Sequence, residues 1–255
     1  MNANIVPQDR TLNVVDWLRL ENLTRKLIRE ICSSEEPHRS SITPSGGVEK
    51  KNGKLYVVSG PVFLPTHVSI ERCRGGAVML APCDHSSTSR VCKQIVQYEL
   101  TGKGNQMVAV PTHLYKVLLA KTYKEDGGVR YESAAFVLPN KPIIEELPLW
   151  WYQVPMEKLE HVTGLSFFPY LNRSQVGDLC QSYQCNIQTE PLFRRYRQVA
   201  WLQHAESIPE LRRIYTHLES ESFKKKETVD TVIQKEYQRR VKELAAETVS
   251  RTSES

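Results

Sequence analysis

Three observations predict an α+β fold, an antiparallel β-sheet core followed by an α-helical C-terminal wing. Near the start, Trp17, Leu20, Leu23, Leu27 and Ile31 recur at helical spacing. Between residues 55 and 138, short β-branched and aromatic runs are separated by Gly, Pro and Asn turns, the pattern of a meandering antiparallel sheet. Beyond residue 190 the helical period returns and holds almost to the end. The core is therefore expected in residues 1–171 and the wing in residues 172–255.

The first helix is expected to start at Thr11 or Asn13, both residue types that favour helix starts, and to run for about five turns, with Pro7 keeping the preceding segment extended. Asn13, Trp17, Glu21 and Arg25 form an i, i+4 row on it, which sets an amide, a carboxylate and a guanidinium along one ridge. By spacing alone the row also fits a solvated helix edge with one Glu-Arg pair, worth a few tenths of a kcal/mol.

Residues 33–54 are rich in Ser, Pro, Gly, Glu and Lys and read as a surface insertion. Leu55 to Ser59 is a strand, with Gly60-Pro61 read as the turn that ends it. A second irregular insertion is expected over residues 66–90, followed by strands at 95–100, 107–110, 114–120 and 131–138. Gly102-Lys-Gly-Asn105 joins the first two of those. Pro155 and Gly164 bound a short helix. In the wing, Ser207-Ile-Pro209 separates two helices, and Val229, Ile233, Tyr237, Val241, Leu244 and Val249 form the narrow apolar stripe of a long third. The tail, 250–255, is expected to be disordered.

Composition bounds the partners. The 255 residues are 40% apolar and 25% charged, ordinary for a globular protein with one sizeable core. A formal charge of +5 leans toward anionic partners and is too mild to identify nucleic acid unaided. The six cysteines are spread along the chain, so reduced thiols are expected. Cys73, Cys83, His85 and Cys92 lack the paired short knuckles of a zinc site, and a loop is the favoured reading. No apolar run approaches the ~20 residues that cross a bilayer. His113, in a β-rich run, reads as a hydrogen-bonded core residue.

The wording of several segments adds to this reading. Asn4-Ile-Val-Pro-Gln8, then Leu12-Asn-x-x-x-Trp-x-x-Leu-Glu-x-x-x-Arg25, resembles the DNA/RNA non-specific endonucleases with a ββα-metal site. Val57 to Pro61, Val108 to Val117 and Ala135 to Asn140 resemble three further signatures in the same order, so that the likeness runs to about Leu171. Asp178-Leu-Cys180, Cys185, Phe193, Tyr196, Ala205 to Ile214 and Tyr237 to Leu244 resemble the helical wing of the mitochondrial exo/endonuclease G-like branch. Cys180 and Cys185 then read as structural wing residues.

The resemblance implies that Asn13 is the protein ligand of a magnesium ion, with other divalent cations as substitutes. Glu21 would order the hydration shell of the ion, Arg25 would face the phosphate, and Asn4 would support the site. It implies a sugar-non-specific nuclease acting on DNA and RNA, with endonuclease and 5′-to-3′ exonuclease action, as a homodimer in mitochondria. The general-base histidine of the family lies in an Arg-Gly-His motif, which does not occur in these 255 residues. The chain also begins within a few residues of the site motif, with no targeting segment before it. The expectation is a fragment, or a late start, lacking the first ββα strands and leaving the sheet an exposed edge. A catalytically inactive nucleic-acid-binding module or a structural partner protein is the alternative.

Overall fold

The structure is a computed structural model that describes residues 5–32, 53–72, 78–82, 92–124, 126–224, 228 and 230–253, with the backbone alone at 66–72, 78–82, 92–94 and 248–253. It divides into two compact units, Met1–Gln8 with Lys26–Asn140 and Tyr152–Cys185, and Asp9–Arg25 with Lys141–Trp151 and Asn186–Ser255. The expected insertion at 33–54 lies almost wholly outside the described residues, as do Cys73, Cys83 and His85.

The first helix starts earlier than expected. Asp9 caps it, its Oδ1 accepting from the Leu12 backbone N–H at 2.7 Å, so a carboxylate rather than Thr11 or Asn13 satisfies the open first turn. The α-helical turn α1 (Arg10–Leu12) passes into one i→i+5 turn, Asn13–Trp17, and then into α2 (Leu18–Ile31). The periodicity that announced the helix is its buried stripe: Leu20, Leu23, Leu27 and Ile31 are buried, while Trp17 is only half-buried.

In the first unit, one sheet of order β1-β7-β8-β10 is built from β1 (Lys54–Val62), β7 (His113–Tyr123), β8 (Val129–Pro139) and β10 (Val176–Asp178), with the short β9 (Gln153–Val154) pairing on β8. All these pairs are antiparallel except β10 on β8. Gly60-Pro61 is not a turn: β1 runs through it, pairing Gly60 with Tyr115 and Pro61 with Leu114. The missing N–H of proline is tolerated because β1 is an edge strand. A Cβ at Gly60 would meet the Tyr115 hydroxyl at 2.7 Å and its ring at 2.8 Å, so the glycine leaves room for that side chain.

The span 66–90 also departs from expectation. It contains β2 (Thr66–Arg72) and β3 (Val78–Pro82), which with β4 (Cys92–Ile95) form a sheet of order β3-β2-β4. The alternation of Val68 and Ile70 with polar neighbours in β2 was a legible strand signal, hidden by the glycines and cysteines around it. Residues 95–100 are not one strand; β4 ends at Ile95, and β5 (Leu100–Lys103) pairs with β6 (Gln106–Ala109) across a turn whose Gly104 has φ +56°.

Val62, Tyr115, Val117 and Ala135 of one sheet face pack with Phe167 and with Leu159 of α3 (Met156–Thr163), which ends at the left-handed Gly164 as expected. Beyond β10, α4 (Leu179–Tyr183) carries Cys180, bonded in a disulfide to Cys185. This corrects the reduced-thiol expectation for that pair: the left-handed Gln184 turns the chain so that the two Cα atoms lie 4.8 Å apart, within bridging range. Cys32 is a free thiol.

The second unit holds α5 (Pro191–Gln203), α6 (Ile208–Lys224) and α7 (Thr231–Ser253). Leu202, Ala205, Leu211, Ile214, Leu218, Ile233 and Leu244 make their common core, with Tyr215 stacked on Tyr237 at 4.1 Å. Leu192 and Tyr196 of α5 are exposed. Helix α7 continues to Ser253, so residues 250–253 are helical rather than disordered. No helix among the described residues is long and apolar enough to cross a membrane.

Candidate metal and phosphate site

Asn13, Glu21 and Arg25 all lie on the helical run from Arg10 to Ile31, and the i→i+5 turn governs their alignment. An α-helix advances about 100° per residue, so the steps from Asn13 to Glu21 would leave the two side chains roughly 80° apart around the axis. The i→i+5 turn holds one extra residue, which reduces that offset to about 20°. The alignment of amide above carboxylate is thus tighter than the simple i, i+4 reading gave.

Asn13 is exposed, and among the described residues its side-chain amide forms no hydrogen bond. Its exposed amide oxygen is a neutral acceptor that could ligate a cation. Glu21 is 38% exposed in its side chain, and its Oε2 accepts from Arg25 Nη2 at a loose 3.3 Å. Arg25 is half in solvent and donates through Nη1 to Asn22 Oδ1 at 2.7 Å. Asn22 in turn donates to Glu190 Oε1 at 3.3 Å. The structure therefore brings Glu21 and Arg25 into contact, while Asn13 lies about two turns before Glu21 on the same ridge. Asn4 lies outside the described residues.

Those donors suit a hydrated hard cation. Magnesium keeps several of its waters and takes few protein oxygens, so one amide oxygen with a carboxylate nearby is a compatible set. Among the described residues no three His, Cys, Asp or Glu side chains gather into a full protein cage.

Sequence reasoning missed what holds this helix in place. Asp16, 1% exposed, faces away from the ridge, and its Oδ1 accepts from Arg19 Nη1 and from Arg197 Nη2, each at 2.7 Å. Arg19 also donates through Nε to the Ile187 carbonyl at 2.8 Å and through Nη2 to the Leu147 carbonyl at 2.9 Å. Arg197 donates to the Ile143 carbonyl at 3.1 Å, to Thr189 Oγ1 at 3.1 Å, and pairs with Glu146 at 3.0 Å. Burial pushes the Glu146 carboxyl up, yet the backbone and side-chain hydrogen bonds from Thr189 and the charges of Arg197 and Arg19 together hold it below its ordinary value. The i, i+3 spacing of Asp16 and Arg19 was a signal, but nothing local pointed to Arg197, 181 residues further on.

Other signature residues also act as struts. Asn140, which ends the Ala135 to Asn140 signature, donates its amide to the Pro7 carbonyl at 3.1 Å and to the Pro111 carbonyl at 2.9 Å, fixing the extended approach to the helix. His113, at the start of β7, sets Nδ1 3.0 Å from Thr112 Oγ1 and is half-buried, in line with a hydrogen-bonded residue.

The helix thus presents an amide, a carboxylate and a guanidinium along one ridge. The profile of the DNA/RNA non-specific endonucleases matches residues 1–174, and the chain belongs to that family. It is 31% identical over 242 residues to the protein named Nuclease EXOG, mitochondrial, of Danio rerio, covering 95% of this chain and 56% of that one. It is 30% identical over 254 residues to the Homo sapiens protein of that name, covering 98% and 55%. A chain of the crystal structure of the EndoG/EndoGI complex matches at 28% identity with a TM-score of 0.44, over 68% of this chain and 52% of that one. The chain thus spans about half the length of the curated relatives it matches. Mitochondrial localisation follows by resemblance to those relatives.

Proposed function

We propose that this chain carries the metal-binding and phosphate-binding half of a magnesium-dependent, sugar-non-specific nuclease site acting on DNA and RNA. The observation that carries the reading is the ridge itself, a solvent-facing amide aligned over a carboxylate that touches a guanidinium. Asn13 would hold the cation through its amide oxygen, and Glu21 would orient the waters around it. Arg25 would face the phosphate and neutralise charge that grows as the phosphodiester is attacked. When bound, the cation supplies Lewis-acid stabilisation of the phosphoryl and leaving oxygens. Asp16 and its two arginines keep the helix that bears these groups from rotating.

The general base is not among these residues. A histidine in that role contributes ~100- to 10,000-fold, and the Arg-Gly-His sequence that would supply it is not in this chain. The polypeptide is accordingly proposed as a truncated form with trace activity, and the longer protein as an endonuclease with 5′-to-3′ exonuclease action and a homodimer. The same missing motif favours the second reading, a catalytically inactive nucleic-acid-binding or structural partner protein.

Plasmid nicking by residues 1–255, with magnesium, with chelator and with Asn13→Ala, tests the proposal. Trace cleavage that chelator and Asn13→Ala both abolish is expected. Retention of binding in a gel shift with no cleavage above the Asn13→Ala background would support the inactive module. Robust chelator-sensitive cleavage would mean that another residue supplies the base.

A further inference from the structure

The sheet face that α3 covers continues past the covered part. Register places Lys54 of β1, Lys121 of β7 and Tyr131 of β8 in one row across three strands, with Tyr56 one step to one side and Tyr123 one step to the other. The apolar cover stops before this row; Phe168 meets the edge of the Tyr56 ring at 6.4 Å and marks its limit. Tyr56 and Tyr123 are 43% and 46% exposed, Lys54 is exposed, and Lys121 and Tyr131 are half-buried. The Lys121 ammonium lies 5.3 Å from the Tyr123 ring centroid and 6.0 Å from that of Tyr131.

Two features of this row suit an anionic partner. Lys54 and Lys121 stand directly opposite each other, and like charges in that position destabilise a sheet. On β1, β7 and β8 this face carries no carboxylate; on β10 it carries Asp178, whose Oδ1 accepts from the Cys180 N–H, and neither lysine has an ion-pair partner among the described residues. The Tyr56 and Tyr123 rings are exposed beside that charge, and the Lys121 ammonium already lies against the Tyr123 and Tyr131 rings. An anionic ligand with flat rings answers both features together.

We propose that this face is a binding platform for single-stranded nucleic acid, in which bases stack on Tyr56, Tyr123 and Tyr131 while Lys54 and Lys121 meet the phosphates. Stacking on aromatic rings beside a positive track is how proteins bind single strands with little sequence preference, because every base offers a flat face. The choice of nucleic acid over other anions rests on the nuclease reading above. The platform itself lies apart in sequence from Asn13, Glu21 and Arg25, and serves to hold a strand rather than to cleave it.

Fluorescence anisotropy of a 5′-labelled oligothymidine in chelator tests this on residues 1–255. Tyr123→Ala with Tyr131→Ala should weaken binding by about tenfold per lost stack, while Tyr123→Phe with Tyr131→Phe should bind like wild type. Lys121→Gln should lower the slope of log affinity against log salt by ~0.7, the value for one phosphate contact on a single strand. Unchanged affinity in the alanine pair, equal loss in the phenylalanine pair, or no oligothymidine binding by wild type would overturn the proposal. Binding to anionic phospholipid vesicles that Lys121→Gln lowers, with oligothymidine binding unmoved, would overturn it in favour of a membrane surface. The magnesium-dependent nicking assay separates the two readings. Cleavage with wild-type binding in the alanine pair removes the platform alone. Tyrosine-dependent binding without any cleavage removes the nuclease reading alone.

Discussion

One helix carries two acid-arginine pairs of opposite character. Glu21 and Arg25 meet at 3.3 Å with side chains 38% and 54% exposed, whereas Asp16 and Arg19 meet at 2.7 Å with both below 4% exposure. An exposed pair of this geometry contributes little to stability, typically ~0–1 kcal/mol. A buried charge stripped of its partner is costly, about 3–5 kcal/mol. The same pairing of carboxylate and guanidinium is therefore met in two settings about a turn apart: one pair is loose and half in solvent, the other is locked by carbonyls and a second arginine. Residue identity does not separate site from scaffold here; burial does.

Replacing Asp16 breaks this contrast most severely. Asp16→Ala leaves Arg19 and Arg197 buried with one acceptor fewer, and should cost about 3–5 kcal/mol. Thermal unfolding should then begin roughly 6–20 °C lower. A shift within a degree or two of wild type would mean that Glu146, Thr189 and the carbonyls of Leu147, Ile187 and Ile143 suffice to hold the two guanidinium groups.

On the exposed pair the expected result is reversed. Arg25→Ala should remove a transition-state contact worth ~3 kcal/mol, about a hundredfold in single-turnover cleavage. Glu21→Gln should lower turnover in the same direction while keeping the shape of the side chain. Neither should move the unfolding midpoint measurably, since surface substitutions of this kind stay within about ±0.5 kcal/mol. An effect confined to substrate affinity would remove both residues from the assigned roles.

Much of this was legible in the sequence because it is periodic. Leu20, Leu23, Leu27 and Ile31 announced the first helix, and Ile233, Tyr237, Val241 and Leu244 announced the last, since a buried stripe must recur at the period of its element. Glu21 and Arg25 were legible as an i, i+4 pair. The i→i+5 turn was not, because an inserted residue leaves no compositional mark. Arg197 was invisible for a different reason: its partner Asp16 is remote in sequence, and an Arg on a wing helix reads as solvated until the fold buries it. Gly60-Pro61 misled because its turn propensity is local, while the edge position of β1 that tolerates it is set by pairing with β7.

A smaller effect is expected at the helix start. Asp9→Ala removes the side chain that caps α1 and should cost ~1 kcal/mol. Asp9→Asn retains an acceptor and should recover most of it. Because Asn13 N–H also donates to the Asp9 backbone carbonyl at 3.0 Å, which the substitution keeps, the turn should fray rather than unfold. Faster amide exchange at Leu12 than at Asn13 in the alanine variant would be the sign of that; equal exchange at both would mean the whole turn had opened.

The subtlest effect separates the two regions by pH. Glu146 sits beside the buried cluster, and although burial alone would raise its pKa, the Thr189 hydrogen bonds and the arginine charges hold it below its ordinary 4.5. A carboxyl with a lowered folded-state pKa binds protons more readily when unfolded. Its contribution to stability is therefore present above about pH 4.5 and is lost as the pH falls through the lower folded value. Glu146→Gln should accordingly be less stable than wild type in urea at about pH 7, and the gap should narrow steadily on acidification below about pH 4.5. A gap that stays constant across that range would show that Glu146 acts through its shape and hydrogen bonds to Thr189, with its charge contributing nothing to the cluster that anchors the helix.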